Sequence, residues 1–236
     1  MIDIPHKNIL LDVGDTLVQI SEPFEKYSLR AIRRLFPFLE DSKHFKVGEF
    51  CESVMNIRNV IRRQAHKTLE EFSFFYFLKR IEVELSVSFG DKLEDAEIAY
   101  VSEELKITSL IEGVIPFLES AKQANKKLYV ATNNFSAVHV NLLLKQFNLL
   151  EYMDGVFISG EMSVRKPSSD FINMICGFAK LQKEDTIIIG DKPTMDLQAA
   201  LNSGVDSIWY NPDNKTNEEL IAFTHQIAFH HQLNFV

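Results

Sequence analysis

Short apolar runs alternate with amphipathic segments along much of the chain. The apolar runs fall at 9–11, 127–132, 155–159, 186–190 and 207–210. Amphipathic segments with helical spacing lie beside them at 116–125, 136–147, 168–180 and 195–203. Because strand and helix alternate, the pattern predicts an α/β fold, with a parallel sheet covered by helices on both faces.

The segment 22–106 breaks this alternation. It has no convincing strand pattern, and helical patterns cover 23–36, 47–66, 69–88 and 93–106. Its aromatic residues at 72–77 are predicted to form the core of a small helical bundle, and the alternative is that they line a ligand pocket. We therefore expect an α/β core made from 1–18 and 107–236, with 19–106 inserted as an all-helical unit.

The composition is that of an ordinary globular protein. The chain has 236 residues, 46% of them apolar and 25% charged, and its formal net charge is −8. This balance argues against a broad basic surface, so no nucleic-acid polymer is expected as a partner. Cys51 and Cys176 lie far apart, as is typical of free thiols in a reducing compartment. Without a signal pattern or a long apolar stretch, we expect a cytoplasmic protein with no membrane partner.

Carboxylates follow two of the predicted strands. Asp12 ends the first apolar run, Asp191 follows the run at 186–190, and Asp196 comes five residues later where a helix begins. The carboxyl ends of parallel strands meet at one edge of a sheet, so these side chains are expected to lie together. Such a set of oxygen ligands suits Mg²⁺. The alternative is that each aspartate only caps a turn or a helix.

Four short motifs stand in a fixed order along the chain. They are Asp-Val-Gly-Asp-Thr at 12–16, Thr-Asn-Asn at 132–134, Arg-Lys-Pro at 165–167, and Gly-Asp at 190–191 with Asp196. In these motifs the chain resembles the haloacid dehalogenase superfamily, whose members are mostly phosphatases, and the tail at 204–213 is similar to its pyrimidine 5′-nucleotidase-like subgroup. The resemblance implies a Rossmann-like core, a helical cap of the first type, and hydrolysis of a small phosphorylated metabolite or nucleotide.

The resemblance also implies a role for each motif residue. Asp12 corresponds to the nucleophile that would form an aspartyl-phosphate, and Lys166 would offset the negative charge that gathers there. Thr132 and the backbone amide of Asn133 would hold phosphate oxygens. The implied Mg²⁺ ligands are Asp12, the main-chain carbonyl of Gly14, Asp191 and, directly or through water, Asp196.

Gly14 departs from the family pattern. The phosphatases of the family carry a second aspartate at this position, which protonates the leaving group and later activates water. Asp15 comes one residue later, and adjacent side chains in a tight turn point apart, so we expect it to stay out of that position. A positioned acid or base contributes roughly 10²- to 10⁴-fold in rate, so slow turnover is expected. Lys192 also departs from the family, and its charge would either help bind substrate or be solvated.

Other functions stay open at this stage. Phosphonate-cleaving and dehalogenating relatives also lack the second aspartate, but dehalogenation does not use the metal site that Asp191 and Asp196 indicate. Phosphonate cleavage needs a cap lysine, for which Lys43, Lys46 and Lys67 are available without distinguishing context. A phosphotransferase and a non-catalytic phosphate-binding protein are further alternatives.

Three histidines lie near the C-terminus and could form either a second metal site or a solvated terminal segment. They are His225, His230 and His231. The sequence does not fix the oligomeric state.

Overall fold

The computed structural model describes residues 2–41, 45–216, 225–228 and 230–235. Its strands are β1 (Ile2–Ile4), β2 (Asn8–Leu11), β3 (Val18–Ile20), β4 (Thr108–Leu110), β5 (Lys127–Thr132), β6 (Gly155–Ile158), β7 (Thr186–Gly190), β8 (Asp206–Tyr210), β9 (His225–Ile227) and β10 (Leu233–Phe235). Six of them form a parallel sheet in the order β6-β5-β2-β7-β8-β9. The predicted parallel α/β sheet is therefore confirmed.

Helices cover the sheet and make up most of the segment that precedes β4. They are α1 (Phe24–Leu35), α2 (Val47–Thr68), α3 (Phe74–Leu85), α4 (Leu93–Leu105), α5 (Val114–Gln123), α6 (Ala137–Gln146), α7 (Ser159–Met162), α8 (Ser169–Ala179) and α9 (Gln198–Ser203). Ser73 and Ser136 cap α3 and α6, because each hydroxyl accepts a hydrogen bond from a backbone N–H of the first turn. In the described part of the chain, no helix combines the length and the apolar character needed to cross a membrane.

The centre of the sheet is apolar on both faces. In β2, Ile9 and Leu11 pack into the core on one face, while Leu10 packs into a second core on the other. β7 pairs with β2 in register and shows the same alternation. A parallel strand that is buried on both sides reads as a continuous apolar run, which explains why both strands are visible in the sequence.

Helices α1 to α4 have a hydrophobic core of their own. Phe50, Phe74, Phe77 and Phe89 are almost fully buried within it. The predicted aromatic core is thus confirmed for Phe74 and Phe77, whereas Phe75 is 57% exposed. Among the described residues, 19–106 supplies no strand to the main sheet. β3 and β4 form a separate antiparallel pair where the chain enters and leaves this segment.

Of the three C-terminal histidines, His231 is exposed, as expected of a solvated segment, whereas His225 and His230 differ from that expectation. His225 begins β9 at the edge of the sheet, and His230 is 1% exposed, stacked on Tyr210 and in contact with Phe117. Burial lowers the pKa of His230 to about 4. Neither histidine belongs to the acidic group in which the described residues could hold a metal. The prediction failed for His230 because its burial depends on aromatic neighbours from other elements, which the local sequence does not indicate.

Candidate active site

The carboxyl edge of the sheet brings the predicted aspartates together. Asp12 directly follows β2, and its N–H donates to the carbonyl of Ile189 in β7 at 3.0 Å. Asp191 directly follows β7, so neighbouring strands deliver both carboxylates to one place. Asp196 joins them, and one carboxylate oxygen from each of the three residues lies within 4.8 Å of the others.

Lys166 links two of these carboxylates. Its side chain is 1% exposed, and its Nζ donates to Asp12 Oδ1 at 2.7 Å and to Asp196 Oδ1 at 2.5 Å. A third hydrogen bond of 2.8 Å goes to the carbonyl of Ala131 at the end of β5. Burial alone would lower the pKa of Lys166, but the two carboxylates outweigh it and hold the pKa above its ordinary value. The lysine is therefore a fixed cation beside Asp12.

The side chain of Asn133 positions Lys166. Its Oδ1 accepts the backbone N–H of Lys166, and its Nδ2 donates to the Lys166 carbonyl, both at 2.9 Å. Sequence reasoning assigned only the backbone amide of Asn133 and missed this clamp, which joins residues far apart in the chain. Thr132 ends β5, is 5% exposed and lines the same cavity as Asp12.

Asp196 is held in one orientation by its backbone surroundings. It lies in a π-helical turn, Pro193–Leu197, and its Oδ2 accepts the N–H of Lys192 at 3.0 Å. A Cβ at Gly190 would stand 2.3 Å from Asp196 Cγ, so only glycine leaves room for the carboxylate here. The Gly-Asp motif thus has a packing reason that is independent of chemistry.

Asp191 is the carboxylate that best fits a metal ligand. Its Oδ1 is buried and has no hydrogen-bond partner among the described residues. Burial raises the pKa of Asp191, and the nearby Asp12 and Asp196 raise it further. A divalent cation bound among these oxygens would satisfy the orphaned atom and offset the clustered negative charge. The donor set therefore fits Mg²⁺.

Gly14 and Asp15 lie on different sides of the turn after β2. Gly14 lines the cavity above Asp12, and a Cβ built on it meets no atom within 4 Å. Asp15 has a φ of 56°, is exposed, and lines a neighbouring cavity with Asp191 and Tyr210. Chain neighbours aside, open space therefore lies where a side chain at position 14 would begin.

The cavity above Asp12 has a volume of about 390 Å³ and is roofed by helices α1 and α2. Phe24, Tyr27, Arg62 and His66 line it from these helices. Sequence reasoning did not name these four residues, although Arg62 and His66 stand four residues apart on one helix face. They place both positive charge and aromatic surface opposite the nucleophile position.

Lys192, Lys46 and Lys67 differ in their positions relative to the cavity above Asp12. Lys192 lines the cavity, where burial acts to lower its pKa but Asp191 and Asp12 outweigh that and raise it. Lys46 and Lys67 are exposed and do not line this cavity. Lys43 falls outside the described residues. The two of the three candidate cap lysines that the structure describes therefore do not reach the cavity above Asp12.

The profile of the haloacid dehalogenase-like hydrolases matches residues 42–210, and the chain belongs to this family. It is 34% identical to the pyrimidine 5′-nucleotidase PynA of Streptococcus pneumoniae over 52% of each chain, so the match spans about half the length of that relative. It is 26% identical to the pyrimidine 5′-nucleotidase YjjG of Escherichia coli over 57% of this chain and 60% of that one. The chain is thus a member of a hydrolase family and is similar in sequence to two pyrimidine 5′-nucleotidases.

A solved structure extends the fold similarity to nearly the whole chain. The magnesium-bound HAD-hydrolase YfnB of Bacillus subtilis matches 97% of this chain and 96% of its own, with a TM-score of 0.63 and 21% identity. At this identity the likeness concerns the fold alone. By sequence, YfnB is 26% identical over 94% of this chain and 91% of its own length.

Proposed function

We propose that this protein is a Mg²⁺-dependent phosphomonoesterase that uses Asp12 as its nucleophile. The observation that carries the proposal is the contact of Lys166 with both Asp12 and Asp196, beside an Asp191 oxygen that has no partner within the described ranges of the chain. Such a cluster places an ionised carboxylate next to fixed positive charge and leaves a further anionic pocket for a metal. That combination suits attack on a phosphate group, whose own negative charge would otherwise repel the nucleophile.

In the first step an Asp12 oxygen attacks phosphorus, and the bond between phosphorus and the ester oxygen breaks. An aspartyl-phosphate remains on Asp12, and water then releases inorganic phosphate. Lys166 stays protonated throughout and offsets charge on the transferring group. Bound Mg²⁺ would supply further charge neutralisation, held by Asp12, Asp191 and the Gly14 carbonyl, with Asp196 close by.

Gly14 makes both steps incomplete. A departing alkoxide needs a proton, and the attacking water must lose one, but Gly14 has no side chain to serve either need, and Asp15 lines another cavity. Leaving groups that depart without a proton are affected least. The native protein is therefore a slow phosphatase on alkyl phosphates, and phosphoenzyme accumulates when the leaving group is good.

The substrate class that we propose is the nucleoside 5′-monophosphates. Two relatives, PynA and YjjG, are pyrimidine 5′-nucleotidases. The cavity above Asp12 joins a charged floor to the aromatic residues Phe24 and Tyr27, which suits a phosphate that carries an aromatic ring.

We assign 19–106 the role of a cap over a core made from 1–18 and 107–236. The separate hydrophobic core of α1 to α4 and the short β3–β4 pair at its root support this division. Residues from α1 and α2 in the wall of the cavity give the cap a direct role in substrate choice. A cap of this kind excludes water during phosphoryl transfer.

A substrate panel with Mg²⁺ tests the proposal. Phosphate release is measured from nucleoside monophosphates, sugar phosphates and p-nitrophenyl phosphate, with Asp12→Asn as the blank and Asp15→Asn as the matched control. We expect release that needs Mg²⁺ and Asp12 but survives loss of Asp15. Phosphate binding without any release would instead favour a non-catalytic phosphate-binding protein, the reading that the absent second aspartate supports.

A further inference from the structure

A second cavity adjoins the one above Asp12 and lies between the helical segment and the sheet. It has a volume of about 180 Å³. Six residues line both cavities, namely Arg62, Glu104, Asn133, Asn134, His139 and Arg165. Because Arg165 directly precedes Lys166, the second cavity begins beside the residue that contacts Asp12. A substrate whose phosphate sits on Asp12 would extend its leaving group in this direction.

Three buried N–H groups on the wall of this second cavity have no hydrogen-bond partner among the described residues. They are Arg58 Nη1, Arg165 Nε and His139 Nε2. Arg58 instead stacks on Phe24, with its guanidinium carbon 4.2 Å from the ring centroid. Arg165 keeps an ion pair of 3.4 Å from Nη1 to Glu71. A buried donor without a partner costs free energy because it has lost its hydrogen bond to water. A ligand that supplies acceptors here would remove that cost, which favours its binding.

The hydrogen-bond network makes His139 a donor at Nε2. Asn134 Oδ1 accepts the N–H of Ser136 at 2.9 Å, which fixes the orientation of the amide. Asn134 Nδ2 therefore donates to His139 Nδ1 at 3.0 Å, and the ring proton sits on Nε2. Glu104 Oε1 is 3.4 Å from Nε2, but the two atoms do not form a hydrogen bond.

The charge of the second cavity is nearly balanced. Three arginines (Arg58, Arg62 and Arg165) face two glutamates (Glu71 and Glu104) across it. A second phosphate or a carboxylate on the leaving group would meet both glutamates. Phe72, Phe77 and Phe135 add flat apolar walls. These features favour a neutral planar ring with acceptors on its edge over a second anion.

We infer that this cavity binds the base of a nucleotide and selects bases with carbonyl groups, as in uracil or thymine. Arg58, Arg165 and His139 donate to the carbonyl oxygens, and Glu104 offers an acceptor for a ring N–H. Cytosine keeps its C2 carbonyl but has an amino group at C4, and adenine has one at C6, so in these bases a donor stands where a carbonyl would accept from this wall. Arg58, Arg165 and His139 are thus specificity residues. The assignment rests on the proposed nucleotide substrate.

Uridine and cytidine monophosphate give the sharpest test, because they differ at C4, where uracil has a carbonyl and cytosine an amino group. Their affinities are measured by calorimetry with Asp12→Asn protein and Mg²⁺, so that turnover is not needed. We expect uridine monophosphate to bind about 10- to 100-fold more tightly, the usual range for hydrogen bonds to charged donors. In an Arg58→Met, Asp12→Asn double variant this preference falls to a few-fold at most. Arg63→Met, an exposed arginine on the same helix, keeps it.

Each outcome decides the assignment. Equal affinities for uridine and cytidine monophosphate overturn the assignment, and so does a preference for uridine monophosphate that survives Arg58→Met. Tighter binding of 2-phosphoglycolate than of uridine monophosphate also overturns it, because 2-phosphoglycolate carries a second anionic group. If Arg58→Met lowers the melting temperature below the assay range, Arg58→Lys is used, since it keeps the charge but changes the donor geometry. Hydrolysis of p-nitrophenyl phosphate by native protein is measured in parallel. Base selectivity without hydrolysis sinks the phosphatase proposal alone, and hydrolysis without base selectivity sinks the base site alone.

Discussion

The carboxyl edge of the sheet and the wall of the second cavity differ in how their polar groups are satisfied. At the edge, Lys166 donates to three acceptors and both oxygens of Asp196 are bonded. Among the described residues, the edge leaves Asp191 Oδ1 without a partner, where the proposed Mg²⁺ would bind, and the wall leaves buried N–H groups of Arg58 and Arg165 without partners. The side chains at the edge are therefore positioned before substrate binds, whereas the donors of the wall find partners only when a ligand binds. We infer that the edge supplies the charge for the reaction and that the wall determines which substrate is bound.

The largest effect that the comparison predicts is at Asp12. Replacement by asparagine keeps the size of the side chain but removes the nucleophilic carboxylate, so turnover of every substrate falls by about 10⁴-fold or more. Asp15→Asn changes turnover little, because Asp15 faces another cavity. Steady-state phosphate release measures both. Comparable losses in the two variants would mean that the turn after β2 has been assigned wrongly.

Lys166→Met tests whether the edge is a tightly coupled ionic cluster. The variant leaves Asp12 and Asp196 buried without their shared cation. We expect the free energy of unfolding to fall by about 3–5 kcal/mol in metal-free buffer. Turnover falls by about 10³-fold, since Asp12 loses its countercharge. Urea unfolding and phosphate release are compared with Lys67→Met, an exposed lysine on α2 that should change neither. Unchanged stability of Lys166→Met would show that the cluster is not coupled.

Gly14→Asp restores the carboxylate that the edge lacks. A Cβ built at position 14 meets nothing within 4 Å apart from its chain neighbours, so the first atom of the new side chain is not blocked. We expect turnover of alkyl phosphates to rise by about 10²-fold or more. Aryl phosphates gain less in the first step, because their leaving groups depart without a proton. Equal rates of the native and variant proteins on an alkyl ester would show that another group already serves as acid and base.

Gly190→Ala should produce the smallest of these effects. Its methyl group would overlap Asp196, which must turn away from Lys166. We expect about a tenfold loss of turnover and a loss of about 1–3 kcal/mol in the free energy of unfolding. Gly177→Ala is the matched control in helix α8, where the added methyl meets no neighbour and stabilises by about 0.5–1 kcal/mol. A Gly190→Ala protein as active and stable as native would remove the packing reason for this glycine.

The two regions also differ in how far the sequence predicts them. Asp12 and Asp191 follow apolar strands directly, and strand ends in a parallel sheet converge, so their meeting could be predicted. A role for Lys166 at the site could be predicted only from the resemblance of residues 165–167 to the family motif. Its clamp by Asn133 depends on how two loops meet, which no local pattern records.

The wall of the second cavity could not be predicted from local patterns. Arg58, His139 and Arg165 come from three separate parts of the chain and meet only after the helical segment packs on the sheet. One local signal exists, because three residues of α2 stand four apart and so lie on the same face of that helix, namely Arg58, Arg62 and His66. The burial of His230, by contrast, depends on aromatic neighbours from other elements and had no signal at all.

Rapid-quench kinetics on native protein tests the central claim, a nucleophile at Asp12 without a proton-transfer partner at Gly14. With p-nitrophenyl phosphate the first step needs no acid, while water attack on the aspartyl-phosphate lacks its base. We predict a burst of p-nitrophenol close to one equivalent of enzyme, followed by a slow steady rate, and no burst in Asp12→Asn. Product that forms linearly from the start, at a rate that Asp15→Asn abolishes, would contradict the account.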